Sequence, residues 1–459
     1  MAATTDAPRT ASDRLSKADK LRLASVVVMA GFALAVMVHY VYGAYCGYRY
    51  PYETYLFRPF DTLESDTLAT TNHCFGDLLA VCIHAENRDP YFAEIPVPFS
   101  RPMDFPSNYF PFGAILPYPL TLIPYPLAVA VFAAGFMAVL AWFNVAFMRT
   151  GAPLTDAIPI VALTLMNYPA HVILDRGNIE AFVFAFLGGF TVLLVRRRPV
   201  PAAGMLGAAI AMKAAPVVFL PLLHKVFGRR GVVVAMAAAA ALTFASLLMF
   251  KSPIHVTVPR LLEVLGNYSA DTAAGIGPAN HASGLYGLIA IGAWTAQLDP
   301  ITGSVWKGLA AVYPLIAAAI LVGSMLSTVV LPMKLWEIAT VAAVCLVMLP
   351  TASPDYRLIH MMIPFALFVN SRTGRREGLV TTVLFALLFV PKTWVIIARE
   401  VTLNAALNPM ILIWLLWRTL RGAYARRLAG RAAAASAMPA AATTQRVGRP
   451  VERPGRRRR

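Results

Sequence analysis

The chain has 459 residues, of which 58% are apolar (AVILMFWYC) and only 14% are charged. This balance excludes an ordinary soluble domain and predicts an all-α polytopic membrane protein. The formal net charge of +17 does not indicate nucleic-acid binding, because eleven arginines lie in the last 39 residues and most others form short clusters between apolar runs.

The first predicted element is a membrane-spanning helix at residues 23–46. Its 24 residues are apolar and long enough to cross about 30 Å of hydrocarbon. We favour an uncleaved signal anchor, since a cleaved signal peptide would have a shorter apolar core and a small-residue cleavage site. Residues 1–22 then form a cytoplasmic N-terminal segment, because short basic segments stay inside.

Residues 47–112 follow as an acidic region that holds nine of the chain's 23 acidic residues and four arginines. This composition predicts a large first extracytoplasmic loop. The loop is also rich in aromatic residues, which suit the apolar faces of sugar rings and equally suit the membrane interface. His73 and His84 have no third partner at a recognisable spacing, so we predict that they are surface residues rather than ligands.

Nine further apolar runs predict nine further spans, which makes ten with the first helix. They lie at 125–148, 154–174, 178–195, 231–250, 306–330, 335–350, 357–370, 378–397 and 405–420.

The segment 199–223 predicts a re-entrant hairpin rather than one span. Basic clusters flank it on both sides, at 196–198 and 224–230, and a single crossing would put one of them outside. Pro216 removes a backbone donor and disfavours the preceding helical turn, so we expect the break near Lys213. Counting the two arms, the fold has ten to twelve transmembrane helices.

With this hairpin, every arginine cluster falls on the cytoplasmic side. The polar segments predicted to lie outside are 47–112, 175–178, 251–284 and 353–357. If the short apolar piece 285–296 crossed the membrane, every later segment would change sides. We therefore expect it to form a helix on or partly within the outer leaflet. The transmembrane domain is therefore predicted at 23–420. The Arg-rich residues 421–459 are predicted to be a disordered cytoplasmic tail near anionic membrane lipids.

The cysteines do not indicate a redox or metal centre. No CxxC pair occurs, and the histidines and cysteines form no cluster with metal-ligand spacing, so we expect no metal and no cofactor. Cys46, Cys74 and Cys82 would be extracytoplasmic, where one disulfide among them could form, and the sequence does not select the pair.

Five ionisable residues at the predicted outer membrane boundary are the first candidates for a functional site. They are Asp175, Arg176, Lys213, Asp355 and Arg357. Charged residues at such a depth are costly and are usually functional, although each could also snorkel or pair with a neighbour. Cations gathered at this boundary are suited to the phosphate of a lipid whose chain stays in the bilayer.

Four groups of residues, in this order, resemble the GT-C glycosyltransferases and especially glycosyltransferase family 87. The resemblance extends over roughly residues 20–420. The groups are Gly76-Asp77…Asp89-Pro90-Tyr91…Asn108-Tyr109-Phe110-Pro111-Phe112, then Asp175-Arg176-Gly177-Asn178-Ile179-Glu180, then Gly204…Gly207…Lys213…Pro216, and finally Ser353-Pro354-Asp355-Tyr356.

The resemblance implies a GT-C-like fold in a bacterial plasma membrane and an active site on the extracytoplasmic side. It implies inverting transfer of a sugar, mannose before arabinofuranose, from a polyprenyl phosphate donor to a glycolipid or glycan acceptor. Asp77 would be the catalytic base. The residues expected at the donor phosphate are Arg176, Lys213, Arg357 and His281. The residues expected at the acceptor or sugar are Asp89, Tyr91, Asn108, Tyr109, Asn178, Asp355 and Tyr356.

Two departures from the family pattern leave alternatives open. About thirty residues separate the first helix from Asp77, which makes Asp61, Glu64 and Asp66 rival bases. Tyr109-Phe110-Pro111-Phe112 stands where Tyr-Pro-Pro is usual. Asp77 could also be the N-cap of a helix beginning at Leu78.

A transporter or flippase of lipid-linked saccharides is the competing class, since it also uses intramembrane charges and broken helices. The 66-residue acidic loop and the lack of a detectable internal repeat argue against it.

Overall fold

The protein is described by a computed structural model that covers residues 14–45, 75–92, 107, 109–151, 153–275, 284–295, 304–351, 353–392, 395–397 and 401–436. These residues are almost entirely helical, which confirms the prediction of an all-α polytopic membrane protein. The β-structure within them is one short antiparallel pair, Val395–Ile397 with Val401–Thr402.

The helices of the first half of the chain precede and include the predicted hairpin. They are α1 (Lys17–Tyr45), α2 (Gly76–Asn87), α3 (Pro111–Ile115), α4 (Tyr118–Thr121), α5 (Tyr125–Met148), α6 (Pro153–Leu165), α7 (Tyr168–Arg176), α8 (Glu180–Val195), α9 (Pro199–Met212) and α10 (Leu220–Met249).

The second half continues the helical pattern to the last described residue. Its helices are α11 (Ile254–Gly275), α12 (Leu285–Thr295), α13 (Ser304–Val330), α14 (Leu335–Met348), α15 (Met362–Val369), α16 (Arg375–Leu388) and α17 (Leu403–Ser436). Two 3₁₀ helices, Ala215–Phe219 and Asp355–Met361, precede α10 and α15 respectively.

Five helices within the described residues are long and apolar enough to cross a membrane, and the pair α6 and α7, bent by 41°, would make a sixth. This is fewer than the predicted ten to twelve. The apolar helices α8, α9 and α14 are short: the 14 residues of α14 rise only about 21 Å, against about 30 Å of hydrocarbon. Several predicted spans are therefore broken helices, or helices too short to cross about 30 Å of hydrocarbon by themselves.

The centre of the fold is formed by α14 and α15. Every residue from Trp336 to Met348 and from Met362 to Val369 is buried. Helices that are apolar all round belong in the interior of a protein. Aromatic rings in tilted or edge contact pack around them, such as Trp336 on Phe368 at 5.1 Å between ring centroids.

The segments on the predicted cytoplasmic side meet at one end of the fold. Their polar contacts are Lys17 Nζ to the Arg149 carbonyl at 2.7 Å, Lys20 Nζ to the Ser371 carbonyl at 2.7 Å and Lys334 Nζ to the Arg372 carbonyl at 3.4 Å. Each lysine satisfies carbonyls near a helix end, where backbone acceptors lack intrahelical partners.

The segments on the predicted outer side meet at the other end of the fold. Their backbone contacts are Phe75 N to the Asp175 carbonyl at 2.8 Å, Phe110 N to the Met212 carbonyl at 3.2 Å and Lys251 N to the Arg88 carbonyl at 2.9 Å. The fold thus separates the two groups of segments as the alternation of spans requires.

The predicted hairpin has its break where the sequence indicated. α9 ends at Met212, Lys213 is extended (φ −148°, ψ 138°), and the chain resumes as a 3₁₀ helix and then α10. α10 is itself broken at Gly228 (φ 67°, ψ −163°). α9 packs closely on the later part of α10, because a Cβ on Gly207 would lie 2.6 Å from the Ala235 carbonyl oxygen. Two breaks give the chain the pair of turns that a re-entrant hairpin needs.

The start of the tail was predicted wrongly. Residues 421–436 are not disordered but continue α17, because Ala, Arg and Leu are strong helix formers. Arg426 also binds the buried carboxylate of Glu337 at the start of α14. Residues 437–459 lie outside the described part of the chain.

The segment 251–284 was predicted as a polar loop, but it contains the 22-residue helix α11. Thr257, Leu261 and Val264 are buried at the spacing of one helical face. That face packs on Tyr91 and Phe250. Residues 285–295 of the piece 285–296 form α12, and the depth of this helix in the membrane stays a prediction.

Candidate active site

The site begins where α2 and α7 meet. α7 ends at Gly177, whose φ of +64° is in the left-handed region that favours glycine. A Cβ at this position would lie 2.6 Å from the Cβ of Leu78, so the residue must also be small. The Phe75 amide donates to the Asp175 carbonyl at 2.8 Å. These contacts set the first turn of α2 against the end of α7, and Asp77 beside Arg176.

Asp77 is held by two side chains. Arg176 donates through Nε to Oδ2 at 2.9 Å and through Nη2 to Oδ1 at 3.2 Å, and Asn178 Nδ2 donates to Oδ2 at 2.6 Å. A bidentate guanidinium fixes both the charge and the plane of a carboxylate. Asp77 is not the N-cap of α2: that position is Phe75, and Asp77 lies inside the first turn.

A second carboxylate, Glu180, lies at the start of α8 behind this pair. Its Oε1 accepts from Lys213 Nζ at 2.6 Å, its Oε2 is 2.9 Å from His360 Nε2, and Arg357 Nε lies 3.7 Å from Oε1. The Oδ1 of Asn178 accepts from the Glu180 backbone amide at 3.0 Å. Asn178 therefore connects the two carboxylates.

Two tyrosines lie over the cations of the site. Lys213 Nζ is 5.1 Å from the ring centroid of Tyr109, and the Arg176 guanidinium carbon is 5.8 Å from that of Tyr356. Both distances are in the range of cation–π attraction. The Tyr109 segment is fixed against the hairpin tip, because a Cβ on the nearby Gly113 would lie 2.9 Å from the Met212 carbonyl.

The charged side chains of the site differ in exposure: some are partly exposed and others are buried. The side chains of Asp77, Arg176, Lys213 and Arg357 are 22%, 27%, 19% and 18% exposed. Glu180 is only 4% exposed, and His360 is fully enclosed. A ligand can therefore reach Asp77 and three cations, whereas Glu180 is accessible only to its own partners.

Asp355 was predicted at the acceptor, but it is buried in a polar cluster next to the site. Its Oδ2 accepts from Tyr168 Oη at 3.0 Å and from Asn404 Nδ2, and its Oδ1 accepts from Asn408 Nδ2 at 2.9 Å. These donors are on α7 and α17. The contacts fix the start of the 3₁₀ helix that carries Arg357 and His360, which is a packing role rather than contact with a substrate.

Asp89 and Tyr91, also predicted at the acceptor, connect the loop to the end of α10. Asp89 Oδ1 accepts from the Ser252 amide at 3.0 Å. Tyr91 is fully buried, donates to the Tyr109 carbonyl at 2.9 Å and packs edge-on against Phe250. A ring enclosed on all sides offers no face to a sugar, so the structure gives Tyr91 a packing role.

The prediction that His84 is a surface residue was wrong. The side chain is buried in α2, and burial lowers its pKa to about 4. Cys82 on the same helix is a free, buried thiol, and burial next to Glu86 raises its pKa to about 11. Both α2 side chains are therefore enclosed by the protein in this structure.

Several predicted residues lie outside the described part of the chain. They are Asn108, His281, the rival bases Asp61, Glu64 and Asp66, and Cys46, His73 and Cys74. Within the described ranges, no group of three or more His, Cys, Asp or Glu side chains could hold a metal ion.

Sequence reasoning missed Glu180 and His360 as members of the site. Glu180 stands at the start of an apolar run, where a carboxylate is costly unless it is paired. His360 follows Arg357 by three residues, and positions i and i+3 share one face of a 3₁₀ helix. These signals were present in the sequence, but neither identifies the partner.

Comparison with known families gives one match. The model of glycosyltransferase family 87 matches residues 108–354, more than half of the chain. The matched range includes Arg176, Asn178, Glu180 and Lys213, while Asp77 precedes it and Arg357 follows it. No curated protein matches the chain.

Proposed function

The chain belongs to glycosyltransferase family 87 and is a membrane glycosyltransferase. We propose that it moves a sugar from a polyprenyl phosphate to a glycolipid or glycan acceptor. Mannose is the first candidate for the sugar and arabinofuranose the second. The reaction is a single displacement with inversion, at the extracytoplasmic face of a bacterial plasma membrane. Membership of the family argues against the alternative of a transporter or flippase.

The observation that carries the proposal is a partly exposed carboxylate beside partly exposed cations. Asp77 accepts the proton of an acceptor hydroxyl while that oxygen attacks the anomeric carbon. The bond from that carbon to the phosphate oxygen breaks, and polyprenyl phosphate leaves with the electron pair. A positioned general base of this kind supplies about 10²–10⁴-fold in rate.

Arg176 has a different task from the one predicted for it. Its guanidinium fork faces Asp77, so its first role is to orient the base. Guanidinium does not give up its proton at physiological pH, so this partner cannot neutralise Asp77 by proton transfer. Together with Asn178 it fixes the orientation of the Asp77 carboxylate.

Lys213 and Arg357 are then the main cations for the donor phosphate. Preordered charges that face the leaving group stabilise the negative charge that develops in the transition state, which is often the largest catalytic effect. In the predicted topology their aliphatic stems lie at the membrane boundary, where a polyprenyl chain can remain in lipid. Three segments supply the reacting groups, since Asp77 is on α2, Lys213 follows α9 and Arg357 is on the second 3₁₀ helix.

The test is transfer by the purified full-length chain and its Asp77→Asn variant, using radiolabelled polyprenyl-phosphate sugars. Asn has nearly the shape of Asp but cannot take up a proton at neutral pH, so we expect a rate loss of at least about 100-fold. Thermal unfolding and polyprenyl phosphate binding should stay close to wild type.

Asp89→Asn is the matched control, because an amide oxygen can still accept from the Ser252 amide. We expect it to keep measurable turnover. Transfer by folded Asp77→Asn at more than about a tenth of the wild-type rate would reject the base assignment. Absence of transfer by the wild-type chain from every polyprenyl-phosphate sugar would reject the donor class.

A further inference from the structure

Glu180 is the point at which the cations of the site converge. Its carboxylate lies between Lys213, from the hairpin tip, and Arg357 and His360, from the second 3₁₀ helix. The two elements are separated by more than one hundred residues in sequence. Glu180 therefore fixes their distance from each other at the site.

The burial of Glu180 shows that it does not act on a substrate directly. Its side chain is 4% exposed, and both oxygens already have partners, Oε1 in Lys213 and Oε2 in His360. With the carboxylate ionised, His360 donates through Nε2. Asp77 also has partners on both oxygens but is 22% exposed, whereas Glu180 has almost no surface that an acceptor hydroxyl could approach, which leaves a positioning role.

The chemistry of Lys213 explains why such a role is needed. Its ammonium sits on a flexible four-carbon stem that leaves an extended stretch between two helices. A buried ammonium without a counter-charge is costly and tends to lose its proton. Glu180 at 2.6 Å gives Lys213 this counter-charge, and the ammonium lies 5.1 Å from the ring centroid of Tyr109.

We infer that Glu180 is a positioning residue that presents Lys213 and Arg357 as a preordered pair to the donor phosphate. The inference rests on the proposed function and adds the residue that organises the phosphate site. Glu180 itself repels an anion, and this repulsion is opposed by the ordering of two cations. The geometry points to the second effect as the larger, because the cations are the exposed groups.

The experiment measures binding of a polyprenyl monophosphate in mixed micelles to the full-length chain. Glu180→Gln should bind it at least about tenfold more weakly than wild type, in line with the loss of charged hydrogen bonds. Lys213→Gln should lose a similar factor. The double variant Glu180→Gln/Lys213→Gln should bind somewhat more weakly than Lys213→Gln alone, because Arg357 also loses its neighbouring carboxylate. Its total loss should be clearly smaller than the product of the two single losses, because residues that act through each other are not additive.

Glu337→Gln is the matched control. Glu337 is also an almost fully buried glutamate in an ion pair, with Arg426, but it lies at the cytoplasmic end of the fold. This variant should leave polyprenyl phosphate binding unchanged, which separates a general loss of stability from a specific loss of binding. Glu180→Asp keeps the charge with a shorter side chain, and it should bind between wild type and Glu180→Gln.

The results separate failure of this inference from failure of the proposed function. Unchanged or tighter binding by folded Glu180→Gln would overturn the inference, as would losses that simply multiply in the double variant. If Glu180→Gln does not fold, Glu180→Asp takes its place in the comparison. The inference would then be overturned if Glu180→Asp bound the lipid as well as wild type while Lys213→Gln bound it more weakly. If the wild-type chain itself does not bind the phosphate lipid, the proposed function fails first.

Discussion

At the scale of single residues, two carboxylates of the site differ in both exposure and partners. Asp77 is partly exposed and paired with a guanidinium, whereas Glu180 is buried and paired with an ammonium and an imidazole. A base must be reachable by its substrate, and a positioning group must be held rigidly. The difference in environment is the basis on which we propose Asp77 as the base and Glu180 as the positioning group.

Gly177 gives the residue-scale prediction. Gly177→Ala places a Cβ 2.6 Å from the Cβ of Leu78 at a backbone φ of +64°. The left-handed backbone costs about 1–2 kcal/mol in a non-glycine residue and overpacking about 1–3 kcal/mol. We expect a loss of about 2–5 kcal/mol in the free energy of unfolding and a strong loss of transfer, because Asp77 and Arg176 lie on the two sides of this contact.

Gly204→Ala is the control for that substitution. Gly204 lies inside α9, and an added Cβ there would meet nothing within 4 Å. Alanine in a helix is favoured over glycine by about 1 kcal/mol, so this variant should be as stable as wild type or more stable. Equal thermal stability of the two variants in detergent would contradict the close approach of α2 and α7.

The residues of the site divide into those that the sequence could predict and those that it could not. Asp77, Arg176 and Lys213 stand out because each is a charge in or beside an apolar run. Glu180 and His360 depend on pairing across 33 and 180 residues of sequence. No local pattern carries that information, because a buried charge is recognised by its partner and the partner is chosen by tertiary packing.

At the scale of elements, α17 shows how a helix closes the end of the fold that is predicted to be cytoplasmic. Residues 411–423 present one buried face to the core, while Trp414 and Trp417 are exposed on the other. The Arg421 guanidinium carbon lies 5.0 Å from the Trp417 ring centroid. Trp and Arg at this level are typical of a membrane interface. Beyond it, Arg426 binds Glu337 at the start of α14.

This contact predicts different effects for two truncations. Deletion of residues 437–459 keeps all described contacts of α17 and should leave thermal stability and transfer unchanged. Deletion of residues 421–459 removes Arg426 and leaves the buried Glu337 carboxylate without its cation, which should cost about 1–3 kcal/mol in stability. Thermal unfolding in detergent compares the two, and identical midpoints would show that the Arg426 contact contributes nothing.

The same element explains one error of the sequence analysis. An Ala/Arg/Pro-rich end has too few large apolar residues to build a core, and this predicted disorder from residue 421. The helix extends to Ser436 because it is a continuation of a packed helix rather than a new element, and continuing a helix is far easier than nucleating one. The same reasoning applies to α11, where a buried face supplied by a neighbour stabilises a helix of weak sequence signal.

At the scale of the whole molecule, the fold places basic clusters and the candidate site at opposite ends. Lysines of the predicted inner segments donate to carbonyls at one end. Four charged residues of the candidate site lie together at the other end: Asp77, Arg176, Lys213 and Glu180. The sequence predicts this separation because the distribution of Lys and Arg follows a rule of membrane insertion and not of tertiary packing. The lengths of the spans do not follow from it, since short helices such as α14 depend on burial inside the fold.

Sidedness of the hairpin is the prediction that belongs to this scale. In the predicted hairpin, α9 and the first part of α10 enter the membrane from the cytoplasm and return to it. Arg198 and Arg230 must then both lie on the cytoplasmic side. Both are exposed, so Arg198→Cys and Arg230→Cys should react with a thiol reagent only after the membrane is permeabilised. His255→Cys, exposed near the start of α11, should react in intact cells. Cys46 and Cys74 are replaced by Ser beforehand, while Cys82 and Cys345 are buried. Labelling of either arginine position from outside would mean that the segment crosses the membrane once, and Lys213 would then lose its place at the outer boundary beside Asp77.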